Sequence, residues 1–571
     1  MMKRTTIKTI TILLFGGLFL AGCNGLGKMA KDVGEVKFYM EPAPLIVRGD
    51  SVEIIVKGMF PEGYFAKKAT VAVTPILMNE KEGYEQPFKT VYAQGEKAAG
   101  NYPIVPYENT KAFEYSDKIA YNPNAGQISN LILEAVGTQG NKTKEFLPVS
   151  LGLGVRTTPY LLQNDDNVLL AKDNFVRTTE HEQYAVINYL INRSTVRRSE
   201  LKEDDMVALA DFIAEAGAND RLEITGASID AYASPDGELT DNEDLANERG
   251  ESAHKAVGKH IKKNEIPHSE GFCAVKGMGE DWAGFKSKMQ ASDIQDKDLI
   301  LRILEMYSDG EKREQEIKNL AATYKEIAED ILPALRRSQI HLGYKKIGYS
   351  DAELTELVKS NPDTLVLEEV LYSATLTNNM DEKLRIYMIA ERNFPTDYRG
   401  SNNAGYVLMQ MGRMEEAKGQ FTKALGINNN PISSNNLGAV ERQEGNREKA
   451  MELFKEGASA GAEVYYNMGL VDFQNGNYAS AITNFGSSNT FNVALVKMLN
   501  GDNEGAARAL NGSADKDTAM GFYLAAIIEA RNFNEQGVLE NLGKAIGIDG
   551  DLAAKAAKDL EFMKYWAAMN F

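Results

Sequence analysis

Apolar and polar residues alternate in the first part of the chain, with the period of two that half-buried β-strands show. The alternation is clearest over residues 51–57 and 69–73, and apolar runs return at 131–136 and 146–155. Gly, Pro, Asn and Asp clusters that favour turns separate these runs. The pattern predicts an all-β, sandwich-like domain over residues 36–155, in which we find no motif for chemistry.

Strand and helix periods then alternate over residues 156–345. Residues 185–190 and 221–232 have strand character, whereas 205–216 and 245–261 place apolar residues at helical spacing. A highly charged stretch over residues 290–324 has helical character. The pattern predicts a central α+β domain that carries a helical insertion.

Small and aromatic residues recur at fixed spacing in the last part of the chain. Gly405, Ala417 and Phe421 are followed, each 33 residues later, by Gly438, Ala450 and Phe454. The same internal spacing of 12 and 16 residues returns in three further sets: Gly469, Ala481 and Phe485; Ala494, Ala506 and Leu510; and Ala526, Val538 and Leu542.

This repeat resembles the tetratricopeptide repeat of about 34 residues, in which paired helices stack into a solenoid. We therefore expect an α-solenoid over residues 346–571, with a degenerate copy around Leu371, Tyr387 and Ala390. An ordinary helical bundle is the alternative. The resemblance implies that residues 350–571 bind one or more protein partners along a concave groove.

The N-terminus combines Lys3, Arg4 and Lys8 with an apolar stretch over residues 10–20 that is too short to span a bilayer. The stretch ends in Leu-Ala-Gly-Cys, which resembles the lipobox of bacterial lipoproteins. The resemblance implies removal of residues 1–22, lipidation of Cys23 and attachment to a membrane through the lipid. Residues 23–35 are then expected to be a lipidated linker.

Composition excludes several classes of function. The 571-residue chain has a net charge of −18, which argues against nucleic-acid binding. Besides Cys23 the chain has only Cys273, in an apolar run, and we expect it to be a buried and unreactive thiol. The five His residues lack metal-ligand spacing, and no nucleotide, zinc-protease or serine-hydrolase motif occurs. We expect no metal, no cofactor and no enzymatic activity.

The central domain contains a series of motifs in a recognisable order. Asn242-x-x-Leu245-Ala-x-x-Arg249-Gly follows the strand that contains residues 232–237, and a paired Arg336-Arg337 precedes Ile340. The series resembles the peptidoglycan-binding domain of OmpA-type proteins, and residues 277–282 resemble the Bacteroides-group versions. The match covers residues 188–342 and leaves 290–324 as an insertion.

The resemblance implies a site for the diaminopimelate of the wall peptide. Such an end group needs a carboxylate for its ammonium and a guanidinium for its carboxylate. Arg249 matches the family's Arg, but Ser234 stands where the family has Asp. Asp236 is the candidate replacement and Asp230 is another.

The candidate wall-binding residues are therefore Ser234, Asp236, Asn242 and Arg249. The alternative is an OmpA-type fold that no longer binds the wall, with Arg249 in a structural ion pair to the acidic residues of 241–244.

Together these patterns favour a non-enzymatic outer-membrane lipoprotein. Asn24 follows the lipidated Cys, and residues 24–28 contain no acidic cluster, so by resemblance the protein faces the periplasm. It would bind peptidoglycan through the central domain and protein partners through the repeats, as a scaffold or accessory subunit of an envelope assembly or secretion machine. The alternative is a surface-exposed adhesin or nutrient-binding lipoprotein whose OmpA-like fold is purely structural.

Overall fold

The computed structural model describes residues 25–125 and 128–569. The predicted signal peptide over residues 1–22 and the lipidation site Cys23 lie outside these residues. Two compact units divide the chain: the first combines residues up to Ala171 with those from Pro395 onward, and the second comprises Lys172–Phe394. Within the described ranges, no helix has both the length and the apolar character needed to cross a membrane.

The first unit begins with a short helix and a two-sheet β domain, which confirms the predicted β-rich region. The helix α1 is Gly25–Lys31, and the strands are β1 Lys37–Glu41, β2 Leu45–Arg48, β3 Ser51–Phe60, β4 Thr70–Asn79, β5 Tyr84–Pro87, β6 Val91–Gly95, β7 Ile104–Val105, β8 Lys111–Ala120, β9 Asn130–Gln139, β10 Lys142–Glu145, β11 Val149–Leu153 and β12 Val155–Arg156. One sheet has the order β1-β3-β2-β12 with β8 added to β3, and the other has β10-β9-β4-β6-β7 with β5 on β4 and β11 on β9.

Burial in the β domain follows the alternation of the sequence. Val52, Ile54 and Val56 on β3 are at most 2% exposed, while their neighbours are more exposed. The N-terminal helix departs from the expected linker over residues 23–35. Its Leu26 and Met29 are buried in the same core as Phe65, because an amphipathic turn gains more from burying these side chains than from remaining a free linker.

The second unit contains a four-stranded sheet, two helices that pack on it and seven further helices. Its elements are β13 Thr178–Asn188, α2 Asp204–Ala218, β14 Leu222–Ala233, α3 Leu239–Lys263, β15 Cys273–Glu280, α4 Trp282–Ala291, α5 Lys297–Met306, α6 Gly310–Lys318, α7 Ala321–Glu326, β16 Arg337–Ile347, α8 Asp351–Ser360, α9 Leu367–Ser373 and α10 Met380–Asn393. The sheet order is β13-β16-β14-β15; β14 and β15 are parallel, and the other pairs are antiparallel.

Three boundaries in the second unit differ from the sequence prediction. The first strand is Thr178–Asn188, so it begins before the predicted strand over residues 185–190. The insertion starts at Trp282, before the predicted residue 290, because α4–α7 and the turns that follow enclose their own apolar core around Phe285 and Leu335. The predicted degenerate repeat lies on α9 and α10, and both helices belong to this unit instead of to the repeat array.

The rest of the first unit is a helical array, which confirms the predicted solenoid. Its helices are α11 Tyr398–Gln410, α12 Met414–Ile427, α13 Pro431–Gln443, α14 Arg447–Gly457, α15 Ala462–Gln474, α16 Tyr478–Phe485, α17 Phe491–Leu499, α18 Asn503–Asn511, α19 Ala519–Arg531, α20 Glu535–Ile548 and α21 Leu552–Ala556. Consecutive helices from α11 to α20 pack in five pairs.

The recurring small and aromatic residues are the contacts within these pairs. A Cβ added to Gly438 would lie 2.7 Å from the ring of Phe454, and Gly405 and Gly469 meet Phe421 and Phe485 at the same distance. The ring therefore fills the space that the missing side chain leaves, and the two helices can approach closely. The predicted roles of these positions in helix packing are confirmed.

We expect Phe454→Ala to lower the free energy of unfolding of the array by about 3–5 kcal/mol, because Phe454 is 0% exposed and its loss leaves a cavity. Tyr465→Ala is the matched control, since Tyr465 is 46% exposed on α15. Urea denaturation followed by the helical circular-dichroism signal measures both changes. Equal effects of the two substitutions would contradict the assigned packing.

Candidate functional site

The stretch that leaves the β domain runs through the helical array instead of joining the central sheet. Residues 162–171 contain no helix or strand, and they belong to the same compact unit as the array. The sequence pattern predicts a central domain that starts at residue 156, whereas the structure places these residues with the repeats. We call residues 163–171 the groove segment, because they lie against the first helices of successive repeats.

Four asparagine side chains each bind both the N–H and the C=O of one residue in the groove segment. In each contact the amide oxygen accepts the N–H of one segment residue, and the amide nitrogen donates to the carbonyl oxygen of that same residue. The four pairs are Asn403 with Ala171, Asn436 with Leu169, Asn467 with Asn167, and Asn492 with Gln163, all at 2.7–2.9 Å. We call these four asparagines the asparagine ladder. All four side chains are buried.

The ladder follows the period of the repeats. Each of its asparagines stands two residues before the small packing residue of its repeat, such as Asn403 before Gly405 and Asn436 before Gly438. In the fifth pair this position is Leu524, and the ladder ends. The recurrence is visible in the sequence, but the repeat was predicted from its apolar and small positions alone, so the role of these asparagines was not predicted.

A buried ion pair fixes the register of the segment. Arg442 on α13 binds the Asp166 carboxylate through Nε and Nη2, and both side chains are 0% exposed. Arg442 also donates to Asn164 Oδ1 at 2.9 Å, and Gln443 Nε2 donates to Asp166 Oδ2 at 2.7 Å. Because such bidentate contacts require a planar fork and a carboxylate, they select a carboxylate side chain at this place.

The neighbouring Asp165 is also held by the array. Its carboxylate accepts from the Tyr466 hydroxyl and, at 2.7 Å, from Asn492 Nδ2. Burial raises the pKa of Asp165, and the nearby Asp166 raises it further, while these two hydrogen bonds oppose the shift. The shift means that the groove disfavours this charge more than water does.

Apolar contacts close both ends of the segment. Leu161 and Leu162 pack on the core of the last repeats, and Val168 and Leu169 pack on the core around Phe454. The array thus forms a groove that binds an extended peptide. The groove pairs with the peptide backbone, binds one carboxylate through Arg442 and holds apolar side chains. We expected the groove to face a partner, but in this structure the chain's own segment occupies it.

The β domain contacts the array elsewhere in the same unit. Arg447 on α14 donates to both carboxylate oxygens of Asp50 at 2.7 and 3.0 Å, and Arg48 Nε donates to the Gly476 carbonyl at 2.8 Å. Arg48 also lies over the ring of Tyr478, 5.3 Å from its centroid. The groove segment therefore joins two parts that also touch directly.

Arg249 is buried, at 1% exposure, on the side of α3 that faces the sheet. Its guanidinium donates to three backbone carbonyl oxygens: Nε to Arg193 at 3.1 Å, Nη1 to Tyr232 at 2.9 Å and Nη2 to Leu190 at 3.3 Å. Burial lowers the pKa of Arg249 to about 10. An ion pair with the acidic residues of 241–244 was one expectation, but carbonyl groups take that role.

Two other predicted wall-binding residues lie together at the end of β14. Ser234 donates to Asp236, and Arg336 donates to the Ser234 hydroxyl at 3.0 Å and to Asp236 Oδ2 at 3.2 Å. Asp236 and Arg336 both act electrostatically on Arg249. The structure thus brings Ser234, Asp236 and Arg249 into one cluster and adds Arg336, whose role we had not predicted.

Of the remaining candidates, Asn242 lies beside this cluster, since its side-chain amide is next to Gly237. Asn242 donates to Glu280 Oε1 at 2.9 Å. Asp230 is excluded as a substitute for the family's Asp, because its neighbour Ala231 faces Gly250 of α3 and side chains alternate along a strand. Asp230 therefore points away from the helix that carries Arg249.

Cys273 lies at the start of β15 and is partly buried, less than we expected. Burial raises the pKa of its thiol, as expected of an unreactive cysteine. Among the residues that the structure describes, no three His, Cys, Asp or Glu side chains gather in a way that could hold a metal ion.

Comparison with known proteins identifies the repeats. Residues 398–431, which span α11 and α12, match the tetratricopeptide repeat family, so the C-terminal region is a tetratricopeptide-repeat array. Such arrays are protein-interaction scaffolds. No curated protein matches the chain.

Solved structures similar to this chain include the APC/C hetero-tetramer Cut9–Hcn1, at 15% identity and a TM-score of 0.32 over 37% of this chain and 46% of that one. The present chain therefore spans less than half of that protein. A tetratricopeptide repeat protein from Parabacteroides merdae matches at 15% identity and a TM-score of 0.28, covering 37% of this chain and 91% of that one. PilF of Pseudomonas aeruginosa matches at 14% and 0.29, covering 38% and 99%.

Removing one partner of the buried Asp166–Arg442 pair should lower the free energy of unfolding by about 3–5 kcal/mol, because a buried charge is left unpaired. We expect this loss for Asp166→Leu and for Arg442→Met singly. The double variant should be less destabilised than either single variant, since no charge remains. Thermal and urea unfolding, followed by circular dichroism, measure the cycle. Additive losses in the double variant would show that the two groups do not interact.

Proposed function

We propose that this chain is a non-enzymatic scaffold of the bacterial outer envelope. A lipid on Cys23 anchors it to the outer membrane on the periplasmic side, the central domain binds peptidoglycan, and the repeat array binds a protein. The observation that carries the scaffold role is the asparagine ladder, because it pairs with the backbone of an extended peptide over several repeats. Assembly or secretion across the envelope is the proposed setting.

The ladder supports binding of a protein partner in one of two ways. Side-chain amides bind any backbone, so a partner segment with an aspartate for Arg442 could replace residues 163–171. The groove segment competes at a high effective concentration, because it belongs to the same chain. Alternatively the partner binds outside the groove, and the segment serves to hold the array in one shape.

Wall binding is supported by the resemblance to OmpA-type domains and by the cluster at the end of β14. Asp236 supplies a carboxylate and Arg336 a second guanidinium beside Arg249. To bind there, a wall peptide would displace Arg336 from the Asp236 carboxylate. Three of the five N–H groups of Arg249 are already used by carbonyls, so the remaining two would serve the ligand.

The same contacts favour a second candidate, a surface-exposed adhesin or nutrient-binding lipoprotein in which the central domain is purely structural. Asp236 is paired with Arg336, and Arg249 is 1% exposed, so the predicted ligand groups bind within the chain. Protease treatment of intact cells separates the two proposals, since only a surface protein is cleaved.

Affinity purification of the full chain from solubilised membranes tests the scaffold role. We expect proteins that co-purify with the wild type and are lost when residues 395–571 are deleted. A partner that replaces the groove segment should be recovered more strongly with Asp166→Ala, which loosens the segment, and less strongly with Asn436→Ala/Asn467→Ala. A partner outside the groove should respond to neither substitution. Identical recovery with the deleted chain would refute recruitment by the array and make the β domain the candidate.

Envelope fractionation tests both attachments. Cys23→Ser should release the protein from membranes, because the lipid is the proposed anchor. Asp236→Asn should reduce recovery on isolated sacculi by about tenfold or more, since a charged contact is lost. Asp241→Asn, at an exposed position on α3, is the matched control. Sacculus binding that is equal in all three chains would leave the central domain a structural role.

A further inference from the structure

Part of the space between the two sheets of the β domain is not filled by side chains. A cavity of about 490 Å³ lies there, bounded on one side by β1, β3 and β8 and on the other by β4, β6 and β9. Sheets that pack face to face normally close this space with interdigitating side chains, and protein interiors leave few voids larger than a water molecule. The volume falls instead within the range of roughly 300–1,000 Å³ typical of sites for small molecules.

The lining of this cavity is almost entirely apolar. Aliphatic and aromatic side chains form its walls, and Lys111 and Glu114 on β8 are the charged lining residues. The two deeper phenol groups are already bonded: Tyr64 donates to the Met29 carbonyl at 3.2 Å, and Tyr115 to the Lys89 carbonyl at 3.0 Å. A polar ligand would therefore lose its hydrogen bonds with water and gain none inside.

The position of the exposed lining residues locates the entrance. Tyr92, Tyr102 and Ile104 line the cavity and are 42–53% exposed. Tyr92 and Tyr102 stack with their ring centroids 4.8 Å apart. They lie on or near β6 and β7, and Lys111 and Glu114 begin the facing edge strand β8. The entrance thus has an apolar rim with charged groups beside it.

We propose that this cavity binds one long acyl chain, of a fatty acid or a phospholipid, with the polar head group at the entrance near Lys111. A hydrocarbon chain fits because it is apolar, slender and needs no hydrogen bond. A peptide strand does not fit, since each buried N–H and C=O would need a partner that the lining lacks. Large apolar cavities in proteins stay dry and take up apolar ligands. The proposal does not depend on wall or partner binding.

Photo-cross-linking of the full chain, transferred from detergent into an amphipathic polymer, tests this proposal. The probes are palmitic acid with a diazirine in its chain and a phosphatidylethanolamine that carries the same chain. We expect labelled peptides to contain lining residues such as Phe60, Phe113 or Leu133. Labelling by the free acid alone or by the phospholipid alone identifies the source of the acyl chain, and either result supports the site.

Matched substitutions connect the label to the cavity. Ala93 lies on β6 and Ala135 on β9, the strands on either side of β4, and both line the cavity. Ala93→Leu and Ala135→Leu each place a larger side chain in the cavity, and each should reduce labelling by about tenfold. Ala99→Leu, at an exposed loop position, should change nothing. The filled variants should unfold at or above the wild-type temperature, because they remove a void. Absence of label from the lining peptides overturns the proposal, as does unchanged labelling in filled variants that remain folded.

Discussion

The first unit depends on hydrogen bonds between side chains of the array and the extended backbone of the groove segment. Residues 163–171 have no neighbouring strand, yet buried N–H and C=O groups must be paired. The asparagine ladder supplies such pairs for four residues of the segment, Gln163, Asn167, Leu169 and Ala171. Asn402 and Asn435 donate to two of the same carbonyl oxygens. Because every amide stands at the same place in its repeat, three successive repeats bind residues that are two apart along the segment, Ala171, Leu169 and Asn167. The fourth repeat binds Gln163, four residues further on. The β domain and a helical array that begins more than 200 residues later thereby become one unit.

The Asp166–Arg442 ion pair fixes the register of the segment, which the backbone hydrogen bonds alone do not determine. Backbone bonds alone would permit the segment to shift by two residues, because amides do not distinguish one extended residue from the next. The Asp166–Arg442 pair excludes such a shift, since displacement would leave two charges without partners in a site with no solvent access. In the central domain, buried arginines also bind uncharged groups. Arg249 donates to carbonyl oxygens of separate loops and strands, and Arg336 donates to the Ser234 hydroxyl at the turn after β14.

The sequence predicted the features that follow from periodic burial. Alternation indicated the β domain, and the spacing of Gly438, Ala450 and Phe454 with their equivalents indicated the solenoid and its packing residues. It failed where contacts are polar and distant in the chain. Ala171 and Asn403 are 232 residues apart. Asn403 binds the backbone of Ala171, and a backbone group is the same in every residue, so the sequence of the groove segment carries no repeating pattern that marks the contact. Of the candidate wall site, the proximity of Asp236 to Arg249 could be predicted from the motif, whereas the competing Arg336 could not.

The first unit is assembled from two stretches of chain that are separated by the whole second unit. The ribosome therefore completes the β domain and the groove segment well before the first asparagine of the ladder exists. At roughly 5–20 residues per second, this delay is on the order of tens of seconds. During that time the segment is an unpaired strand with exposed leucines. The groove segment is therefore already available when the repeats emerge, so the array can form around it.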